Sequence, residues 1–222
     1  MRRSLGWTYA PLLAIGVSIA ILTLLPCGRS ALVRAEGTST ETTPADSLER
    51  VEKDLRAQLK KKPGDYEAAY KLGNLFYDQG RRAEAEEQYR DALKQKPDYV
   101  EAMVNLGVVL NESGKSDDAI VQFDKALVLK PGDVTAMCNK GQALYALQHY
   151  SDAIAIYQKS IQLDPKSQLA HYLLGIAFAD AGIYREAIRD WEQVVAIDST
   201  TEAAKTASEG IKVLQDMLKE GR

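Results

Sequence analysis

The chain has 222 residues, of which 45% are hydrophobic and 27% are charged. Those values are ordinary for a globular protein of one or two domains. Two cysteines and two histidines exclude a disulfide framework and a histidine-based metal cluster. The net charge of −3 is uneven, because residues 1–35 contain arginines but no acid. The remainder carries 24 basic and 31 acidic side chains, so it repels phosphates and we expect no nucleic-acid partner.

The first 35 residues contain a long apolar segment. No charged side chain occurs between Arg3 and Arg29. About 20 apolar residues in a helix span the roughly 30 Å hydrocarbon layer of a bilayer. Trp7 and Tyr9 lie where interfacial aromatic residues occur in membrane helices. We therefore predict a transmembrane signal anchor over residues 1–35, with the rest of the chain on the extracytoplasmic, periplasmic-type side of the membrane.

Two other interpretations of this segment remain open. Residues 33–35 (VRA) place small side chains where a signal peptidase needs them, and cleavage there would give a secreted or periplasmic protein. Residues 24–27 (LLPC) resemble a lipobox, although Pro26 replaces the usual small residue. Residues 36–45 are rich in Thr, Ser, Gly and Pro without apolar periodicity, which predicts a flexible linker.

A period of 34 residues organises the rest of the chain. Glycine, alanine, an aromatic residue and proline each recur four times at this spacing. The series are Gly73, Gly107, Gly141 and Gly175; Ala85, Ala119, Ala153 and Ala187; Tyr89, Phe123, Tyr157 and Trp191; and Pro63, Pro97, Pro131 and Pro165. A further series of glycines at 80, 114 and 182 has Gln148 in its gap.

Each period contains two apolar stripes at helical spacing, with glycine between them and proline after the second. The pattern predicts four helical hairpins over residues 66–99, 100–133, 134–167 and 168–201. We expect the first glycine series at the helix crossings, where small residues permit close approach, and the aromatic rings between successive units.

Further apolar stripes predict a capping helix at each end, over residues 46–62 and 202–219. The folded body at 46–222 would then contain ten helices and no strands. Polar outer faces on the terminal helices are what a solenoid needs to remain soluble. A coiled coil is the alternative all-helical arrangement, but no heptad survives the glycine and proline breaks.

The repeated unit resembles the tetratricopeptide repeat family over residues 66–201. The first unit reads YEAAYKLGNLFYDQGRRAEAEEQYRDALKQKPDY, and it follows the family's pattern of small, large and aromatic positions. The resemblance implies an all-α, right-handed helical solenoid whose first helices line a concave face. The sequence departs from the family at the early tryptophan position, which holds Ala69, Met103, Met137 and His171, and at Ser199, where proline is usual.

Fixed positions of the unit usually face ligand in this family. Carried onto this chain, the resemblance implies a groove lined by Tyr70, Asn74, Tyr77, Val104, Asn105, Val108, Asn111, Asn139, Gln142, Tyr145, Tyr172 and Ile176. An asparagine can donate to a peptide carbonyl and accept from its N–H at once, and tyrosine gives large contact area at low entropic cost. The surface therefore favours proteins or extended peptides as partners. The alternative is that the asparagines only solvate an empty face and the tyrosines pack between helices.

Some family members clamp the C-terminal carboxylate of a chaperone. Asn74 and Asn105 match that clamp. Its cationic positions hold Tyr70, Thr135 and Asn139 instead, so we expect no binding of chaperone tails.

No catalytic or metal-binding motif is recognisable in the sequence. Residues 114–116 (GKS) imitate the end of a phosphate-binding loop, but position 109 is valine and no strand is predicted before it. Cys138 is predicted to be a groove-lining or half-buried thiol. His149 is predicted to be solvated, and His171 to be structural. We therefore predict neither enzymatic activity nor a cofactor.

Three functional hypotheses follow. In the first, the protein is a membrane-tethered adaptor or scaffold that binds a partner polypeptide in its groove and helps assemble or organise a membrane or envelope complex. The alternatives are a self-associating structural scaffold and a non-catalytic subunit of a larger enzyme complex. The polar outer faces of the end helices argue against open-ended stacking, and the lack of catalytic groups argues against the enzyme subunit.

Overall fold

The computed structural model describes residues 44–220, with side chains from residue 47 onward. The predicted anchor over residues 1–35 and almost all of the predicted linker lie outside this range. Residues 44–220 form ten α-helices and contain no strand, which confirms the all-α prediction. Within this range no helix combines the length and apolarity needed to cross a bilayer.

The ten helices follow one another with short connections. They are α1 (Pro44–Lys61), α2 (Tyr66–Asp78), α3 (Arg82–Gln95), α4 (Val100–Glu112), α5 (Ser116–Leu129), α6 (Val134–Ala146), α7 (Tyr150–Leu163), α8 (Gln168–Asp180), α9 (Tyr184–Ile197) and α10 (Glu202–Lys219). Each helix packs on the next along the chain. The first helices α4, α6, α8 and α10 also approach one another in succession, and more closely than the second helices do. The first helices therefore lie on the inner side of the stack.

An aromatic ring lies on the backbone of a glycine in each helix pair. The four contacts are Gly73–Tyr89, Gly107–Phe123, Gly141–Tyr157 and Gly175–Trp191. A Cβ atom built on these glycines would lie between 2.3 and 2.6 Å from the nearest ring atom. Side-chain contacts in close-packed interiors are not this short, so any larger residue would force the ring or the helix to move.

The aromatic rings contact their own unit, and not only the next unit as the sequence predicted. Each ring projects from the second helix onto the glycine of the first helix of the same pair. Trp191 in addition reaches α10, where a Cβ built on Gly210 would lie 2.4 Å from its Cζ3 atom. The rings therefore set the spacing between the two helices of a pair.

The turns between first and second helices share one backbone geometry. The glycines at these turns have φ values of +73° (Gly80), +76° (Gly114) and +73° (Gly182). Gln148 adopts the same left-handed conformation, with φ of +62°. At that turn the N–H of His149 donates to the carbonyl of Leu144 at 2.9 Å, which closes the end of α6.

Helices α1 and α10 cover the two ends of the stack. Leu48, Leu55 and Leu59 of α1 pack against the core formed by the first two helix pairs. Ala207 and Leu214 of α10 are buried. The terminal pairs are therefore shielded on their outer apolar sides.

Replacing Gly107 with alanine tests the ring contact. The new Cβ would lie 2.5 Å from Cε1 of Phe123, whose side chain is completely buried. Overpacking a core costs about 1–3 kcal/mol, and alanine regains roughly 1 kcal/mol of helix propensity over glycine. We expect the free energy of unfolding, measured by urea titration, to fall by about 1 kcal/mol.

The matched control is Gly132→Ala, because no atom lies within 4 Å of a Cβ built there. Its free energy of unfolding should change by less than about 0.5 kcal/mol. Equal effects of the two substitutions would contradict the ring contact as the reason for glycine at position 107.

Replacing Gln148 with glycine tests the turn geometry. A non-glycine residue in the left-handed region costs about 1–2 kcal/mol of stability. Glycine removes this cost, but its greater conformational freedom in the unfolded chain offsets roughly half of the stabilisation. We expect Gln148→Gly to raise the free energy of unfolding by about 0.5–1 kcal/mol in the same titration. The reverse change, Gly114→Gln, should lower it. A Gln148→Gly variant that is less stable than the native chain would show that the turn is not strained.

Candidate functional site

The first helices α2, α4, α6 and α8 carry the predicted groove residues on the inner side of the stack. Ten of the twelve are half-buried, and so present part of their surface to solvent: Tyr70, Asn74, Tyr77, Val104, Asn105, Val108, Asn111, Gln142, Tyr145 and Ile176. We call these ten the concave face. Their exposure is compatible with contact to a partner.

The other two predicted groove residues, Asn139 and Tyr172, are buried, with 3% of each exposed. Tyr172 lies on α8, which contacts α10, and burial raises the pKa of its phenol. Asn139 lies on α6, which contacts both α4 and α8. Cys138 is also fully buried, so it is not the groove-lining or half-buried thiol that the sequence predicted. None of the three offers a surface to a partner in this structure.

A polar network joins the first two units at the concave face. The amide oxygen of Asn74 accepts from the Tyr89 hydroxyl at 2.8 Å and from Nδ2 of Asn105 at 2.9 Å. The same Nδ2 also donates to the Tyr70 hydroxyl at 3.1 Å. Tyr89 is buried, and its ring is fixed by the contact with Gly73. Its hydroxyl therefore orients the Asn74 side chain, which in turn orients that of Asn105.

This network leaves one donor and one acceptor unused on two adjoining side chains. Within residues 47–220, the Nδ2 group of Asn74 and the Oδ1 atom of Asn105 make no hydrogen bond. No buried side-chain nitrogen or oxygen in the described residues lacks a partner, so both groups reach solvent. A peptide unit presents one carbonyl and one N–H, which is the complement of this pair.

Three other predicted groove residues use their polar groups inside the protein. The Tyr77 hydroxyl donates to Glu112 at 2.6 Å, and the Tyr145 hydroxyl donates to Asp180. Each bond joins the first helices of successive units, and burial raises the pKa of the Asp180 carboxyl. Asn111 accepts from the Ser116 hydroxyl at 2.7 Å within its own unit. The two tyrosine hydroxyls and the amide oxygen of Asn111 are therefore engaged within the protein.

Sequence reasoning missed a second cluster at the edge of the concave face. Tyr66 begins α2 and Tyr99 precedes α4, and their rings lie 5.3 Å apart between centroids. Tyr70 lies 4.9 Å from the ring of Tyr99. The signal was available, because the position of Tyr99 holds Asp133, Ser167 and Thr201 in the later units.

The remaining candidates for chemistry occupy structural positions. Nδ1 of His171 lies 2.8 Å from the Asp190 carboxylate and its Nε2 lies 3.3 Å from the carbonyl of Pro165. Burial raises the pKa of Asp190, while the hydrogen bond to His171 opposes that rise. His149 is exposed, as predicted. In the part of the chain that the structure describes, no group of three histidine, cysteine or acidic side chains could hold a metal ion.

Comparison with known proteins establishes the family. A model of the tetratricopeptide repeat matches residues 70–134 and 138–204, which is more than half of the chain. The chain therefore belongs to the tetratricopeptide repeat family. No curated protein matches it at a significant level.

Several solved structures share the fold. MamA from Desulfovibrio magneticus RS-1 (residue 41 to its end) is 21% identical, covers 71% of this chain and 89% of its own, and gives a TM-score of 0.64. PilW, described as a widely conserved type IV pilus biogenesis factor, is 20% identical. The match covers 79% of this chain and 86% of PilW, with a TM-score of 0.66. YrrB, described as a tetratricopeptide repeat protein with an unusual peptide-binding site, is 21% identical, and the match covers 74% of this chain and 85% of YrrB, with a TM-score of 0.60. At this identity the likeness shows the fold alone.

Proposed function

We propose that the protein is an adaptor whose concave face binds an extended segment of a partner polypeptide. The observation that carries this proposal is the pair formed by Asn74 and Asn105. Asn74 offers an unused N–H group and Asn105 an unused oxygen, and the two side chains are joined by the 2.9 Å bond from Nδ2 of Asn105 to the amide oxygen of Asn74. Two backbone groups of an extended chain could be recognised there without any demand on its sequence.

Apolar surface lies beside this pair. Val104 and Val108 lie on the same helix as Asn105 and are half-buried against the first core cluster. An extended chain alternates its side chains between two sides, so a strand-like segment held at the asparagines would direct side chains toward these valines. YrrB, which shares the fold, is described as having a peptide-binding site, and this agrees with the proposal.

The charge of α2 and α4 argues against other ligands. Glu67 and Glu101 are exposed on these helices, where Lys71 is the exposed cation, while Glu112 pairs with Arg82 at 2.8 Å. An acidic surface disfavours nucleic-acid phosphates and free C-terminal carboxylates. The proposed ligand is therefore an internal, extended segment of another protein, bound without a cofactor or a catalytic step.

The location of the protein belongs to the same proposal. The uncharged run between Arg3 and Arg29 supports a membrane anchor, with the repeats on the extracytoplasmic side of the membrane. There the adaptor would help to assemble or organise a membrane or envelope complex. The alternative is a secreted or periplasmic protein after cleavage of the segment.

Intact-mass analysis of the protein from its native membrane tests the anchor. We expect the complete chain in the membrane fraction, because an uncleaved segment of this length holds a protein in a bilayer. A mature chain that begins after residue 35, or one recovered in the soluble fraction, would contradict the anchor and favour cleavage.

A pair of valines in the same unit tests the binding surface. Val108 lies on the concave face, whereas Val121 on α5 is 50% exposed and lies on a second helix, away from that face. Linear 12-residue peptides would be selected from a random phage library on the native chain. We expect Val108→Lys to weaken binding of the selected peptides at least tenfold, because a charged side chain replaces apolar contact surface, and Val121→Lys to leave it unchanged.

A second groove variant, Gln142→Lys, guards against loss of folding, because residue 142 is half-buried and already polar. Circular dichroism would show that each variant remains helical. No enrichment of peptides, or equal affinity in the Val108, Gln142 and Val121 variants, would reject the concave face as the binding surface.

A further inference from the structure

Three tyrosine rings form a compact cluster where the first two units meet. We call Tyr66, Tyr70 and Tyr99 the tyrosine cluster. The Tyr66 and Tyr99 rings are nearly perpendicular, at 83° and 5.3 Å, and Tyr70 lies against Tyr99 at 57° and 4.9 Å. All three side chains are half-buried, so part of the cluster faces solvent.

The cluster already holds a cation. The ammonium group of Lys96 lies 4.8 Å from the centroid of the Tyr66 ring and 5.2 Å from that of Tyr99. These distances are within the range in which a cation is attracted to the face of an aromatic ring. No carboxylate of residues 47–220 lies within 4.0 Å of this ammonium group, unlike those of Lys94, Lys115 and Lys130. The rings are therefore its principal partners.

Tyr99 occupies a position that elsewhere serves to cap a helix. Asp65, Asp133, Ser167 and Thr201 precede first helices or α10, and each accepts a hydrogen bond from the backbone N–H three residues later. Tyr99 makes no such bond at the start of α4. Tyrosine thus replaces the capping residue that the other units have at this position. Departures of this kind from local sequence preference concentrate at functional positions.

The surroundings of the cluster are negative. The Tyr66 hydroxyl donates to Glu67 at 3.2 Å, and Glu67 and Glu101 are both exposed beside the rings. Burial, together with Tyr70 and these two carboxylates, raises the pKa of Tyr99 to about 12. Glu67 and Glu101 therefore place negative charge near the rings, which favours the approach of a cation.

The cluster is continuous with the asparagine pair. Tyr70 belongs to the cluster, and its hydroxyl accepts a hydrogen bond from Nδ2 of Asn105 at 3.1 Å. A chain segment whose backbone lies at the asparagines thus has the rings within reach of one of its side chains.

We propose that the tyrosine cluster is a seat for a lysine or arginine side chain of the bound partner, and that Lys96 fills this seat in the free protein. The inference rests on the proposed function, because it adds a basic residue to the extended segment that the concave face binds. The partner's cation would replace the ammonium group of Lys96 over the rings. The seat belongs to the first two units, because the later units have no tyrosine at the positions of Tyr66 and Tyr99.

Titration with a single amino-acid amide tests the seat separately from peptide binding. The probe is Nα-acetyl-lysinamide, and Nα-acetyl-norleucinamide is the uncharged control of equal chain length. Ring resonances of 13C-tyrosine-labelled protein report binding. We expect the lysine amide alone to shift the resonances of Tyr66 and Tyr99, and Lys96→Met to bind it about fivefold more tightly, because the internal competitor is removed.

Tyr99→Ser provides a variant that should remain folded and adds no charge to the site. A serine there can cap α4 as Ser167 caps α8, so we expect its unfolding temperature to equal or exceed that of the native chain. It should weaken binding of the lysine amide at least fivefold. Among peptides selected on the concave face, the substitution should weaken the binding of those that contain lysine or arginine and leave the binding of the others unchanged.

Equal shifts with the norleucine amide, or an unchanged dissociation constant in Lys96→Met, would overturn the seat. Either result leaves peptide selection on the concave face unaffected, so failure of the seat and failure of the groove are distinguishable.

Discussion

The contact between a flat aromatic ring and a bare glycine backbone determines the distance between the two helices of each pair. With a Cβ distance of 2.3 Å at Gly141 and 2.6 Å at Gly73, no side chain fits between ring and helix. The rings are almost completely buried, so the contact is made in a close-packed interior that resists small displacements. Because the same contact recurs in all four pairs, the first helices arrive in succession on one side of the stack, where the concave face forms.

Hydrogen bonds between successive first helices engage some of the polar side-chain groups of the concave face and leave others without a partner among the described residues. The Tyr70–Asn105, Tyr77–Glu112 and Tyr145–Asp180 bonds each join a residue to one that is 35 positions later. They tie neighbouring units together and engage the hydroxyls of Tyr70, Tyr77 and Tyr145. The amide N–H of Asn74 and the amide oxygen of Asn105 are not engaged by these bonds, and both asparagines lie near the half-buried Val104 and Val108. Binding is therefore expected where the internal bonds stop.

Periodicity predicts the repeated part of this protein and fails where units differ. The 34-residue spacing is enough to predict the helix pairs, since the same small, large and aromatic residues recur. Equivalent positions nevertheless differ in burial: Asn105 is half-buried and Asn139 is buried, and the same holds for Tyr70 and Tyr172. Burial depends on the neighbouring helix, and the neighbour of α8 is α10, which is not a repeat of α4. A pattern read along one chain cannot supply that information.

Departures from the pattern were visible in the sequence, but their meaning was not. Gln148 interrupts a glycine series, and the structure shows that it nevertheless adopts the left-handed conformation. Tyr99 interrupts a series of capping residues, and the structure shows that its ring joins Tyr66, Tyr70 and the ammonium group of Lys96. In both cases the neighbouring residues in space determine whether a departure from the repeat produces backbone strain or a binding site.

The side-chain amide resonances of asparagine and glutamine test the central claim most directly. A peptide selected on the concave face would be added to 15N-labelled protein, with Gln168 as the internal reference because its amide already donates to the carbonyls of Val194 and Asp198. If an extended backbone binds at the asparagine pair, the Nδ2 resonances of Asn74 shift and exchange more slowly with water, while those of Gln168 stay in place. Shifts confined to the second helices, with the Asn74 amide unchanged, would contradict the account.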